Sequence, residues 1–176
     1  MEPIHKINKV EIRNLQISDY VQLSQSFRRV YSDGSDTFWT HKQIEKLIQI
    51  FPEGQFVTVV DEKIVGCALS LIVDYDLVKN DHTYAKVTGN ETFSTHNPNG
   101  NILYGIEVFI HPDYRGLRLG RRMYDYRKEL CERLNLKAIM FGGRIPNYHK
   151  YADVMRPKEY IQQVKMKEIY DPVLTF

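Results

Sequence analysis

Ile106-Glu107-Val108-Phe109-Ile110-His111-Pro112-Asp113-Tyr114-Arg115-Gly116-Leu117-Arg118-Leu119-Gly120 decides how this chain is read. An apolar, β-rich run stops at a proline, passes a tight basic loop and enters an amphipathic helix. Arg115, Arg118, Arg121 and Arg122 crowd the helix start. The helix dipole is positive there, so each such cation costs roughly 0.3 kcal/mol or more unless an anion sits beside it. Backbone N–H groups left free at a helix start, with guanidinium charge added, form a phosphate site. The stretch therefore predicts a strand, a loop and a helix that together hold a phosphorylated ligand.

The neighbouring patterns build a sheet around it. Downstream, Leu119, Met123, Tyr126, Leu130 and Leu134 recur on one helical face, and residues 137–141 read as a strand closed by Gly142-Gly143. Upstream, residues 102–110 form the strand that enters the loop. Residues 9–15 alternate as a first strand, and Ser18 caps a helix carrying Tyr20, Leu23, Phe27 and Val30. Asp33-Gly34-Ser35-Asp36 is a loop. Thr40 with Gln43 forms a capping box ahead of Ile44, Leu47, Ile48 and Phe51. Residues 55–60 and 63–75 are strands joined at Asp61-Glu62 as a hairpin. The polar residues 76–101 read as a long loop, a length usually found at functional or mobile segments. Residues 147–155 read as a short helix, Pro157 opens another with Tyr160, Ile161 and Val164 inward, and Asp171-Pro-Val-Leu-Thr-Phe176 begins a strand. The expected fold is α/β, a mixed sheet with helices on both faces.

Composition bounds the function. A chain of 176 residues, 43% hydrophobic and 26% charged, is large enough to bury a core without staples. Its net charge of +2 gives no general affinity for nucleic acid. Cys67 and Cys131 lie in apolar runs without metal spacing and read as buried thiols of a reducing compartment. No signal-peptide core and no bilayer-length apolar run is present, so a cytoplasmic location without a membrane partner is expected. His5, His41, His82, His96, His111 and His149 are scattered, so no metal is expected, and His111 before Pro112 reads as a turn residue. A nucleoside triphosphate site lacks its Gly-Lys-Ser/Thr grip, and a dinucleotide site its early spaced glycines.

The pattern strand–Pro–x–x–Arg–Gly–x–x–Leu–Gly–helix resembles the pyrophosphate loop of the GCN5-related N-acetyltransferases (GNAT), and the order of elements resembles that family over nearly the whole chain. The family's usual loop is Gln/Arg–x–x–Gly–x–Gly/Ala. Arg115 and Gly120 match its ends, while Arg118 stands in place of the middle glycine. Arg115-Gly-Leu-Arg-Leu-Gly120, the later Gly142-Gly-Arg-Ile-Pro-Asn-Tyr-His-Lys-Tyr151 and the last six residues together resemble the acetyltransferase domain found upstream of nitrilase-like carbon–nitrogen hydrolases, where an arginine at that loop position is normal. The resemblance implies a mostly antiparallel twisted sheet whose closing C-terminal strands are incomplete here. Residues 1–156 would be the acetyltransferase core, and 157–176 a helix and the start of a closing strand. Either the chain is a domain of a longer protein with a downstream hydrolase, or something else finishes the sheet. A homodimer through an open sheet edge is the corresponding expectation.

The same resemblance assigns roles. The backbone amides of Leu117, Arg118, Leu119, Gly120 and Arg121, with Arg115 and the freedom of Gly116, would hold the pyrophosphate of acetyl-CoA. Backbone groups of Val108, Phe109 and Ile110 would polarise the thioester. Glu107 would take the proton of the acceptor amine, directly or through a water. Tyr151 or Tyr148 would protonate the leaving thiolate, with Tyr151 preferred, and Asn147 would touch the cofactor arm. Tyr31, Trp39 and Tyr75 are candidates for an acceptor pocket. The function implied is acetyl transfer to a small-molecule or protein amine. The alternative is a non-catalytic acyl-CoA-binding domain that regulates a fused hydrolase.

Overall fold

Five strands pair in chain order into one sheet: β1 (Val10–Asn14), β2 (Phe56–Val60), β3 (Lys63–Val73), β4 (Ile102–Ile110) and β5 (Ala138–Phe141). β1 to β4 are antiparallel neighbours, and β5 joins β4 in parallel. The computed structural model describes residues 7–31, 38–80 and 82–175. Its chain falls into two compact units, Met1–Phe141 and Gly142–Phe176. The expected loop at residues 33–36 lies outside the described residues. No helix among them is long and apolar enough to cross a membrane.

β3 is buried along ten of its eleven residues, so it needs cover on both faces. Cys67, Leu69, Leu71 and Val73 meet Leu23 and Phe27 of α1 (Tyr20–Val30) and Ile44 and Leu47 of α2 (His41–Ile50). Ala68 and Ile72 meet Met123, Leu130 and Cys131 of α5 (Leu119–Arg133) on the other side. Strand alternation thus places helices on both faces, as the sequence predicts. Each fully buried Leu or Phe contributes about 1.5–3 kcal/mol.

Local signals explain the joints. At Asp61-Glu62 both residues have positive φ, 45° and 69°, the two-residue turn whose twist matches the flanking strands. Asp61 also binds the amides of Asn8 (3.1 Å) and Lys9 (2.8 Å), which pins the entry to β1. The Thr40–Gln43 capping box is present at the start of α2. Ser18 is not the cap of the first helix. A 3-10 turn, Ile17–Asp19, precedes α1, and the Asp19 carboxylate ties it down by accepting from Arg13 (2.7 and 2.9 Å) and from the Gln16 amide (2.9 Å).

Residues 76–101 are not a free loop. They carry α3 (Tyr75–Val78) and α4 (Tyr84–Thr88), and send Val78, Val87 and Phe93 into the core beside Trp39. The Thr83 hydroxyl accepts the Lys86 amide (3.1 Å), and Gly89 closes α4 at φ 61°. Caps at both ends hold α4, which Val87 anchors to the core, while Val78 of α3 and Phe93 beyond α4 anchor the segments on either side, so few apolar residues mark the stretch.

In the second unit, a 3-10 turn, Pro146–Lys150, replaces the expected helix, and α6 (Pro157–Lys165) buries Tyr160 and Val164. Residues 171–175 are not a strand. The fully buried Asp171 accepts from the Tyr160 hydroxyl (2.7 Å) and from the amides of Val173 (2.9 Å), Leu174 (3.0 Å) and Asn147 (3.3 Å). A carboxylate taking its own following amides curls the chain into a turn, whatever the β propensity of Val-Leu-Thr.

Candidate functional site: the open half of β4 and the loop after it

β4 pairs with β3 residue for residue from Ile102–Val73 to Gly105–Ser70, then slips, so that Glu107 faces Leu69 and Ile106 is one residue too many. This is a β-bulge. Strict alternation from Ile102 and Tyr104 would put Glu107 on the α5 face with Leu103. The extra residue returns it to the α1 face, shared with Ile106 and Phe109. There the hydroxyl of Tyr31, at the end of α1, donates to Glu107 Oε1 at 3.2 Å. The Val108 amide donates to the same oxygen at 2.9 Å. Pairing with β5 ends at Gly105–Phe141, so β4 and β5 part company at the bulge.

Beyond the strand, Pro112–Tyr114 makes a 3-10 turn, and His111 Nδ1 accepts the Asp113 amide (3.3 Å), the turn role read from its sequence. Gly116 follows at φ 83° with open space where a Cβ would be, and Arg118 precedes α5 in the left-handed region at φ 55°. That conformation costs a non-glycine residue about 1 kcal/mol. Leu119 is buried against Val60 and Val65 and fixes where the helix begins. The first helical bond runs from the Arg122 amide to the Arg118 carbonyl, 3.2 Å. Among the described residues, no acceptor takes the amides of residues 117–121. Arg115, Leu117, Arg118 and Arg121 are exposed, and no described carboxylate lies within ion-pair distance of Arg115, Arg118, Arg121 or Arg122. Free amides at a helix start with cations around them are the chemistry that favours an anion.

Arg127, which sequence reasoning missed, lies under the bulge. It is 1% exposed, and its Nη2 donates to the carbonyls of Leu69 (2.9 Å) and Glu107 (2.8 Å). A Cβ on Gly105 would come within 2.9 Å of its Nη1, so only glycine leaves room for the guanidinium. The sequence signal was available: a glycine inside a strand, and an arginine on the same helical face as Met123 and Leu130. Burial pulls the Arg127 pKa down, yet a guanidinium stays charged in proteins. Burial also pushes the Cys67 thiol well up, with the Glu107 charge adding to it, so Cys67 stays a neutral thiol.

The acceptor candidates separate. Tyr31 comes to Glu107. Trp39 is 7% exposed and packs edge-on against Phe93, a core residue rather than a pocket wall. Tyr75 is exposed beyond the end of β3 that pairs with Ile102, at the far end of β4 from the basic loop. Asn147, Tyr148 and Tyr151 belong to the second unit. Asn147 Nδ2 donates to the Tyr170 carbonyl (3.2 Å), the Tyr148 hydroxyl to the Met155 carbonyl (3.0 Å), and both tyrosine rings pack on Tyr160.

Comparison with known proteins decides the family. Residues 20–152 match the acetyltransferase (GNAT) family. The chain belongs to it. Two Bacillus subtilis (strain 168) proteins are similar. "Probable hydrolase YhcX" is 41% identical over 168 residues, 96% of this chain but only 32% of that protein. "Uncharacterized N-acetyltransferase YkwB" is 31% identical over 97% of this chain and 76% of its own length. The chain therefore spans about a third of YhcX. Among solved structures, the loading GNATL domain of CurA from Lyngbya majuscula superposes with a TM-score of 0.78 at 23% identity, covering 94% of this chain and 80% of that one. The GphF GNAT-like decarboxylase in complex with isobutyryl-CoA superposes at 0.70 and 18% identity, covering 93% and 81%. At these identities the two structures speak for the fold. The five-stranded sheet with its parting strands and basic loop is thus a GNAT fold.

Proposed function

We propose that this GNAT-family protein is an acetyl-CoA-dependent N-acetyltransferase that moves the acetyl group to an amine by direct attack. The observation that carries the reading is the bulge, which turns Glu107 to the α1 face next to the Val108 amide, one loop away from the anion site. Residues 117–121 and Arg115 fit a pyrophosphate, since their amides and charge have no other described partner, and Gly116 keeps backbone accessible.

An alkylamine with pKa near 10.4 is neutral in about one molecule in 2,500 at pH 7, so a base raises the reactive fraction. Glu107 takes that proton. The amine nitrogen then bonds to the acetyl carbon, the carbon–sulfur bond breaks, the nitrogen sheds its second proton and the thiolate takes one, so that amide and thiol leave with no net proton change in this step. The Val108 amide, now capped by Glu107, becomes free to polarise the acetyl oxygen when the carboxylate swings to the ammonium. Of the two candidate acids, Tyr148 already spends its hydroxyl on Met155, which favours Tyr151.

The acceptor class stays broad: a small-molecule or protein amine. One observation favours a second reading, a non-catalytic acyl-CoA-binding module joined to a hydrolase: the chain spans only 32% of YhcX. The exposed ends of edge strand β5 give the proposed homodimer its surface, and sedimentation checks it. Titration calorimetry with acetyl-CoA, then an amine panel read by free-thiol release, separates these readings. Binding with amine-dependent thiol release supports the transferase. Binding without transfer supports the module, and no binding contradicts both.

A further inference from the structure

A buried arginine is expensive, and proteins normally set a carboxylate against it. Among the described residues Arg127 has none within ion-pair distance, and its Nε has no hydrogen-bond partner. A leucine or methionine would fill the same helical position at lower cost. What the guanidinium does instead is bridge two strands at one point. Its Nη2 holds the carbonyls of Leu69 and Glu107, the pair at which the β3–β4 register slips. Gly105, the last residue before the slip, is cut away to admit it.

We propose that Arg127 is a positioning residue, a pin that holds β4 in the bulged register and so keeps Glu107 on the α1 face with the Val108 amide beside it. Its catalytic consequence rests on Glu107 serving as the base. The placement of the helix and the logic of strand alternation support the pin. The loop runs directly into the helix that carries Arg127, so α5 sets the distance between anion grip and bulge: nine residues from Arg118 at 1.5 Å each, about 13.5 Å along the axis. Relaxed pairing would return Glu107 to strict alternation and send its carboxylate to the α5 face, away from Tyr31. The Arg127 charge also acts on Glu107 electrostatically. Tyr31 from α1 donates to that carboxylate, Cys67 from β3 and Arg127 from α5 act on it through charge, and of these three Arg127 is the one charged at neutral pH.

The test compares Arg127→Met, Arg127→Lys and Gly105→Ala, each checked for folding by thermal melting. Two readouts need no cofactor: the NMR titration of the Glu107 carboxyl and the hydrogen exchange of the Val108 amide. In Arg127→Met the carboxyl should titrate at higher pH than in the wild type, and the amide should exchange about tenfold faster or more. Arg127→Lys, which keeps the charge but not the two-carbonyl fork, should hold the titration near wild type while losing amide protection. If Arg127→Met does not fold, Gly105→Ala displaces the guanidinium without deleting it and should also speed Val108 exchange. Affinity for CoA should change less than about threefold in any folded variant, while turnover on an amine the wild type acetylates falls about 10²-fold in Arg127→Met, as for a misplaced base. A folded Arg127→Met or Gly105→Ala with wild-type Val108 exchange overturns the proposal. A wild type that acetylates nothing overturns the transferase reading alone, because titration and exchange still judge the pin.

Discussion

β4 is one strand with two environments. From Ile102 to Gly105 it is paired on both sides and buried. From Ile106 onward it keeps β3 on one side only, and Glu107, Val108 and Ile110 are half-exposed. The first half is held by packing, and the second by one bulge and one arginine. Stability and the proposed chemistry are therefore assigned to different halves of a single strand, and substitutions on either side of Gly105 should fail in different ways.

The largest effect should come from the closed half. Leu103 is fully buried against Leu130, Phe51 and Ile72. Leu103→Ala should lower stability by about 2–5 kcal/mol in denaturant unfolding. Glu107→Ala should change it by no more than about 0.5 kcal/mol, as for a group outside the core. Equal losses at both positions would erase the distinction.

The next effect lies at the loop that the open half feeds. Arg115→Ala, or Gly120 replaced by a bulky residue, should weaken acetyl-CoA binding tenfold or more, about 1.4 kcal/mol, with the melting curve unchanged. Unaltered affinity in both variants would remove the anion site from the account.

Much of this could be read before any coordinates. The bounds of β4, the Asp61-Glu62 hairpin, the Thr40–Gln43 box and the basic loop each rest on local chemistry, which sequence carries directly. The bulge does not. Glu107 alternates normally with its neighbours, and its face depends on where β3 slips and on a guanidinium twenty residues downstream. Trp39 looked like a pocket residue because its partner Phe93 sits in a segment that reads as loop. Residues 171–175 looked like a strand because propensity is local, whereas the Asp171 turn also needs Tyr160 and Asn147.

A smaller, pH-dependent effect separates the second unit from the sheet. Burial alone would raise the Asp171 carboxyl, but the Tyr160 hydroxyl and the amides of Leu174, Val173 and Asn147 outweigh it and hold it below the usual range. A depressed folded pKa gives stability that is present above the unfolded value, about 3.9, and is lost as pH falls through the folded one. Protection of the Val173 and Leu174 amides, relative to their intrinsic exchange at each pH, should therefore fall only in acid, and Asp171→Asn should abolish that step. The smallest effect is expected at Arg118. Arg118→Gly relieves left-handed strain but adds chain entropy, so stability should move by less than about 1 kcal/mol in chemical unfolding.

The account stands or falls on Glu107→Gln, measured as turnover with acetyl-CoA and a verified amine across pH. Turnover near pH 7 should fall about 10²-fold or more, with the deficit shrinking as pH approaches the amine's own pKa. Acetyl-CoA affinity should hardly move, because the carboxylate does not touch the anion site. A Gln variant with wild-type turnover at pH 7 would contradict the account.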